Sequence, residues 1–124
     1  MEAIKIESTD ETPAVILDAE KGIFEFSGRS LPEDVVSFFD PILEWLDDYV
    51  TSPNPESNFV FKLDYFNTAS SKLILDIMLK LDEIQKGENK IIISWYFKKE
   101  DEDMQEAGEE YADLVETELK LIEY

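Results

Sequence analysis

At 124 residues, 44% of them hydrophobic and with 8 Phe, 5 Tyr and 2 Trp, the chain has the size and apolar content of one ordinary domain with a substantial core. Its 11 basic and 30 acidic side chains give a formal charge of −19, which argues against nucleic-acid phosphates or an anionic membrane as partners and leaves proteins or cations. With no Cys and no His, disulfides, thiol chemistry, the usual proton shuttle and the commonest metal ligand are all missing, so the composition speaks against an enzyme.

The first residues, "MEAIKIESTDETPAV", carry acids early and contain no apolar stretch of signal-peptide length, and no segment approaches a membrane-spanning length, so a cytoplasmic location is expected. "AIKIES" reads as a short strand. "AVILDAEKGIFEFSG" reads as two strands joined at Glu20-Lys21-Gly22, where the glycine supplies the positive φ of a tight hairpin.

At Ser30-Leu31-Pro32-Glu33 the pattern predicts a helix start, with Ser30 as cap and Pro32 near the first helical position. Apolar pairs from Val35/Val36 to Tyr49/Val50 then recur every three to four residues, as in a helix that covers a sheet. Pro41 lies inside this run, and a kink or break near residue 40 is expected, with Asp40 able to cap a second helix. "TSPNPESN" reads as a loop.

"FVFKLDYF" and "KIIISWYF" have strand length and composition, the second so apolar that it suggests a strand covered on both faces. One helix separates them, so a right-handed crossover should leave the two strands parallel in one sheet. A last helix is predicted from near Asp101, with Met104, Ala107/Gly108, Tyr111 and Leu114/Val115 one to two turns apart. Its run of ten acids without a base from Glu100 to Glu118 reads as a solvated face. "ELKLIEY" is an edge strand or a tail.

Charge is distributed unevenly along this order. Residues 1–58 carry 3 basic and 14 acidic side chains, residues 59–99 carry 7 and 5, and residues 100–124 carry 1 and 11, so the middle third alone escapes the negative balance.

That middle third contains "DYFNTASSK", between strand and helix. A Thr or Asn just before an apolar-periodic run is an N-cap, and spacing gives Thr68 this structural role, with Ser71 in the place of a capping-box Glu. On the helix that follows, Leu73, Ile74, Ile77, Met78, Leu81 and Ile84 form a core stripe within about 140°. Leu75 and Leu79 fall outside it, among Lys72, Asp82 and Lys86. They are either covered by a neighbouring element or form a docking patch.

The segment "FKLDYFNTASSKLILDIM", a strand ending on an Asp and passing through a hydroxyl-rich turn into an apolar helix, resembles the phosphoacceptor turn of STAS domains, the anti-sigma factor antagonists. The chain resembles more closely the SiaC-type regulatory phosphoproteins of bacterial biofilm control, through "TPAVILD", "YFNTASSK", "IIISWYF" and "DEDMQEAGEEYADLVE". This resemblance implies one STAS-like domain over residues 1–124, of α/β class with a mixed sheet, an N-terminal hairpin and about three helices. It implies no catalysis, cofactor or metal, and a switch set by reversible phosphorylation of Thr68. A kinase would add the phosphate, a PP2C-type phosphatase would remove it, and the unmodified form would bind an effector, in the best-known branch a diguanylate cyclase of c-di-GMP signalling. Asn67, Ser70, Ser71, Lys72, Leu75 and Leu79, on the turn and the helix 69–86, would then form the surface that partners read.

Two other readings follow from the residues, an acidic decoy of nucleic acid and, last, a metal-carboxylate enzyme built on Asp101, Glu102 and Asp103; the STAS resemblance implies a third, an anti-sigma factor antagonist acting on an anti-sigma kinase. Consecutive acids on a helix diverge, which weighs against the enzyme.

Overall fold

In a computed structural model, residues 2–85 and 87–124 are described. The chain opens with three strands, β1 (Ile4–Ile6), β2 (Ala14–Asp18) and β3 (Ile23–Ser30), followed by α1 (Val35–Thr51), β4 (Glu56–Phe66), α2 (Thr68–Gln85), β5 (Lys90–Phe97), α3 (Glu102–Leu114) and β6 (Glu118–Glu123). These strands make one six-stranded sheet in chain order. The expected hairpin is present, with Gly22 at φ +70°, and β1 and β2 pair antiparallel as do β2 and β3. From β3 onward every pair is parallel, including the expected β4/β5 pair, and the C-terminal segment forms the edge strand β6.

This connectivity fixes where the helices lie. Successive right-handed crossovers that always step to the next strand in the same direction return on the same side of a sheet. All three helices accordingly cover one face. Its rows run Ile4, Leu17, Phe24, Phe59, Ile93, Leu119 and Ile6, Val15, Phe26, Phe61, Trp95, Leu121 across the strands. Phe24 stacks on Phe59 at 4.5 Å and Phe26 on Phe61 at 4.8 Å, and Trp45 and Tyr49 of α1 close over Phe24. The opposite face, with Lys5, Ile16, Glu25, Val60, Ser94 and Lys120 in one row, has no helix over it among the described residues. The two-sided burial expected of β5 is therefore corrected: Ile92 and Tyr96, on the open face, are half-buried. A parallel strand reads as apolar throughout when its outer residues shield one another, without a second helical layer.

Two further expectations are corrected in α1. Its cap is Asp34, whose carboxylate accepts from the Ser37 N–H at 3.1 Å and from the Ser37 hydroxyl at 2.8 Å; Ser30 ends β3 instead. Those Ser37 bonds hold the Asp34 carboxyl below its ordinary range. Pro41 does not divide the helix. It is exposed, so water can serve the carbonyl it leaves free, and its cost of about 3 kcal/mol is outweighed by burial of Phe39, Ile42, Trp45, Leu46 and Tyr49 on both sides of it. Each of these side chains contributes about 1.5–3 kcal/mol.

The core stripe read for α2 is correct: Ile74, Ile77, Met78, Leu81 and Ile84 are buried and Leu73 is half-buried. Asp82, expected on the charged side, is buried. Its carboxylate accepts from the N–H groups of Glu116 and Thr117 and from the Thr117 hydroxyl, so α2 anchors the turn into β6. Lys86 lies outside the described residues.

Helix α3 lies close on the sheet because Gly108 has no side chain. A Cβ there would stand 2.5 Å from Trp95 Cδ1 and 2.5 Å from Leu121 Cδ2. Trp95 cannot yield, being buried with its indole N–H donated to the Met104 carbonyl at 2.9 Å. Gly108→Ala is expected to destabilise the fold by about 1–3 kcal/mol despite the higher helix propensity of alanine. Urea unfolding with the m-value held constant measures this.

Candidate functional site

The turn between β4 and α2 is fastened to the end of β3. The backbone N–H of Asn67 donates to the Ser30 carbonyl at 3.0 Å. Ser70 Oγ donates to the same carbonyl at 3.0 Å and accepts from Ser30 Oγ at 2.9 Å. Ser30 and Ser70 are buried, and these bonds satisfy both hydroxyls away from water.

Asn67, not Thr68, caps α2. Its side-chain oxygen accepts from the Ser70 N–H at 2.8 Å, and its carbonyl accepts the first helical bond, from the Ser71 N–H at 3.0 Å. This corrects the structural role that spacing gave Thr68. Thr68 is the first helical residue, exposed, and among the described residues its hydroxyl makes no hydrogen bond. A free hydroxyl thus sits at the mouth of a helix, where unpaired N–H groups and the dipole favour an anion.

The other sequence-selected residues divide. Lys72, one turn on, is exposed and forms no ion pair among the described residues. Ser71 is half-buried and turns its hydroxyl onto the Thr68 carbonyl at 2.6 Å. Ser70 departs from the expectation: at 0% exposure it has no surface to offer a partner, and its hydroxyl joins two elements of the fold. Of the two leucines, Leu75 is half-buried against the core, whereas Leu79 is 44% exposed near Leu43, Asp76, Lys80 and Glu83. Leu75 is thus partly covered by neighbouring elements, and Leu79 is open to solvent.

Sequence reasoning missed what α3 adds. Between α2 and α3 runs a groove of about 200 Å³ lined by Phe66, Ser71, Lys72, Leu75, Ala107, Glu110, Tyr111 and Leu114. Tyr111 bridges it, donating its hydroxyl to the Ser71 carbonyl at 2.8 Å. The α3 periodicity marked Tyr111 and Leu114 as apolar positions, but nothing in it said that they face α2. Asp64, Asp101 and Asp103 border a second hollow beyond the end of β4, and Asp101 is committed to capping α3 through the Met104 N–H at 3.0 Å. Among the described residues no group of three or more His, Asp or Glu side chains is placed to hold a metal ion.

Residues 6–124 match the SiaC family of regulatory phosphoproteins. The chain belongs to the SiaC family. It is 27% identical over 111 residues to an uncharacterised protein of Pseudomonas aeruginosa strain UCBPP-PA14, covering 90% of this chain and 88% of that one. Among solved structures it is similar to SiaC of Pseudomonas aeruginosa, at a TM-score of 0.89 and 22% identity over the whole of both chains. A second similar structure is that of the diguanylate cyclase SiaD in complex with its activator SiaC, from the same organism. There the TM-score is 0.89 at 24% identity, covering 98% of this chain and 99% of that one. At these identities the structural likeness establishes the fold.

Two predictions separate the cap, the hydroxyl and the bridge. Asn67→Ala should cost about 1 kcal/mol and Thr68→Ala less than about 0.5 kcal/mol, read by thermal unfolding; equal losses would return the cap to Thr68. Burial, assisted by the Glu110 charge, pushes the Tyr111 hydroxyl above its ordinary range. A group raised in the folded state contributes stability below its unfolded pKa, here about 10, and that contribution is lost as pH climbs above it. Tyr111→Phe should therefore cost about 1 kcal/mol at neutral pH and flatten the alkaline fall in stability.

Proposed function

We propose that the chain is a single STAS-like regulatory domain, spanning residues 1–124 and non-enzymatic, that works in the cytoplasm as a switch set by phosphorylation of Thr68. A protein kinase adds the phosphate and a PP2C-type phosphatase removes it. The unmodified form binds and controls an effector, and the structural likeness to the activator in the SiaD–SiaC complex supports a diguanylate cyclase in that role. The observation that carries the reading is the division of labour at the turn: Asn67 caps α2, which leaves the Thr68 hydroxyl exposed and unengaged in a member of a phosphoprotein family.

The chemistry is consistent with a switch that leaves the fold intact. Phosphate on Thr68 adds about −1.5 to −2 charges where a helix N-terminus favours an anion, so α2 tolerates it. Lys72, four residues on, is within reach of the same helix face, while Asp64 opposes the added charge. The penalty falls on an interface: a dianion must not be buried unpaired against an apolar surface. Phosphorylation thus releases the effector.

Mass spectrometry of the protein isolated from its own cells should find phosphate on Thr68. Thr68→Asp should lose the cyclase and Thr68→Ala should retain it, measured by pull-down with purified cyclase from the same cell. A Thr68→Asp variant that holds the cyclase as tightly as the wild type would sink the reading.

A further inference from the structure

The two edges of the sheet are unequal. Strand β1 offers three residues, whereas β6 offers six, without proline and paired to β5 with no shift of register. The Tyr124 N–H is donated inward to the Phe97 carbonyl at 3.0 Å, and backbone groups alternate in direction along a strand. Leu119, Leu121 and Glu123 accordingly turn their N–H and C=O groups away from β5, and no strand among the described residues receives them. An edge of that length is a template for another strand.

Side-chain matching names the strand that fits. Glu118 and Lys120 form an exposed ion pair at 3.7 Å on one face of β6, and Leu119 lies half-buried on the other. When a second β6 is laid antiparallel to the first, the register centred on Lys120 sets that lysine against its own copy. The register centred on Leu121 sets Glu123 against Leu119. Centring on Leu119 instead sets Glu118 of each copy against Lys120 of the other and Leu119 against Leu119, so four charges alternate in sign across the seam. Opposite charges facing each other across a strand pair stabilise it, and like charges destabilise it. The backbone agrees with this register. The two Leu119 residues exchange both bonds, and the Leu121 N–H meets the Thr117 carbonyl. The Thr117 N–H needs no partner there, because it is given to Asp82 at 2.9 Å.

Helix α3 does not set its acidic side against this seam. Gly108 rests on Leu121 and Trp95, and Ala107, Glu110 and Leu114 face α2. At about 100° per residue, the opposite flank, above the outer edge of β6, carries Gln105 and Ala112, with Glu109 the nearest acid of the helix. Ala112, one turn from Gly108 toward the start of β6, is small where a second α3 would approach.

We propose that the chain pairs with a second copy of itself through β6, antiparallel and centred on Leu119, so that two sheets become one continuous sheet. The seam lies on the side of α3 away from α2, and both copies keep Thr68 and the groove between α2 and α3 open. Long-range repulsion between two chains of charge −19 opposes the pairing, and salt screens it, so association strengthens as ionic strength rises.

Sedimentation equilibrium of the full chain should show a monomer–dimer equilibrium that shifts toward dimer as salt is added. Lys120→Glu and Glu118→Lys, each placing like charges across the seam, should each weaken dimerisation at least about tenfold, while an equimolar mixture of the two should form a mixed dimer as tight as that of the wild type. Both side chains are exposed, and circular dichroism verifies that each variant is folded. Since the chain has no Cys, Glu118→Cys mixed with Lys120→Cys should form a disulfide between copies, the opposed Cα atoms standing about 4.5 Å apart, and neither variant alone should do so. A chain that stays monomeric at its highest soluble concentration in high salt, a dimer unchanged by both charge reversals, a mixture as weak as its components, or cysteine variants that crosslink as well alone as together would each overturn the proposal.

Discussion

The side-chain oxygen of Asn67 takes the Ser70 N–H, and with that donor satisfied the first turn of α2 makes no demand on the Thr68 hydroxyl. The residue that would carry a regulatory charge is thereby separated from the residue that holds the helix. Asn67 is itself held, because its backbone N–H shares the Ser30 carbonyl with Ser70 Oγ. The end of β3, the end of β4 and the start of α2 therefore meet in one small polar junction, most of it buried. A threonine beside such a junction can be modified without loosening it, since the added charge projects to solvent and toward unpaired N–H groups.

Placement of all three helices on one face puts α2 in the middle of the helical layer. On one side α1 lies along it, with Lys80 paired to Asp47. On the other, α3 rests chiefly on β5 and β6, and a groove remains beside α2 with Tyr111 spanning it. Gly108 permits that arrangement by allowing α3 to settle on Trp95. The acids of α3 are exposed, as the solvated face read from the sequence requires, with Glu110 alone among them lining the groove, and the open face of the sheet keeps Lys5, Lys62, Lys90 and Lys120. On that face Asp18, Glu25, Glu56 and Glu118 stand among the lysines, a mixture unlike the uniformly negative face of a nucleic-acid decoy.

Periodicity and turn chemistry in the sequence determined most of the elements. The hairpin at Gly22, the parallel β4/β5 pair, the α2 core stripe and the start of α3 at Asp101 could all be read, because each depends on residues close together in the chain. The helix start at Ser30 was misread, and of the kink or break expected near Pro41 the break is absent, because tertiary forces decided both. Ser30 was required at the end of β3, and burial of aromatic residues on both sides of Pro41 outweighed the missing hydrogen bond.

At the site, the sequence itself supplied the hydroxyl-rich turn, together with the family likeness that made Thr68 stand out. The fold alone decided which oxygen caps α2, that Ser70 and Asp82 are sealed inside, and that Leu75 and Leu79 have different neighbours. The buried groups and the groove depend on partners 34 to 40 residues away, Ser30 for Ser70, Thr117 and Glu116 for Asp82, and Tyr111 for Ser71. A local pattern states what a side chain can bond; the element that arrives across the sheet settles what it does bond.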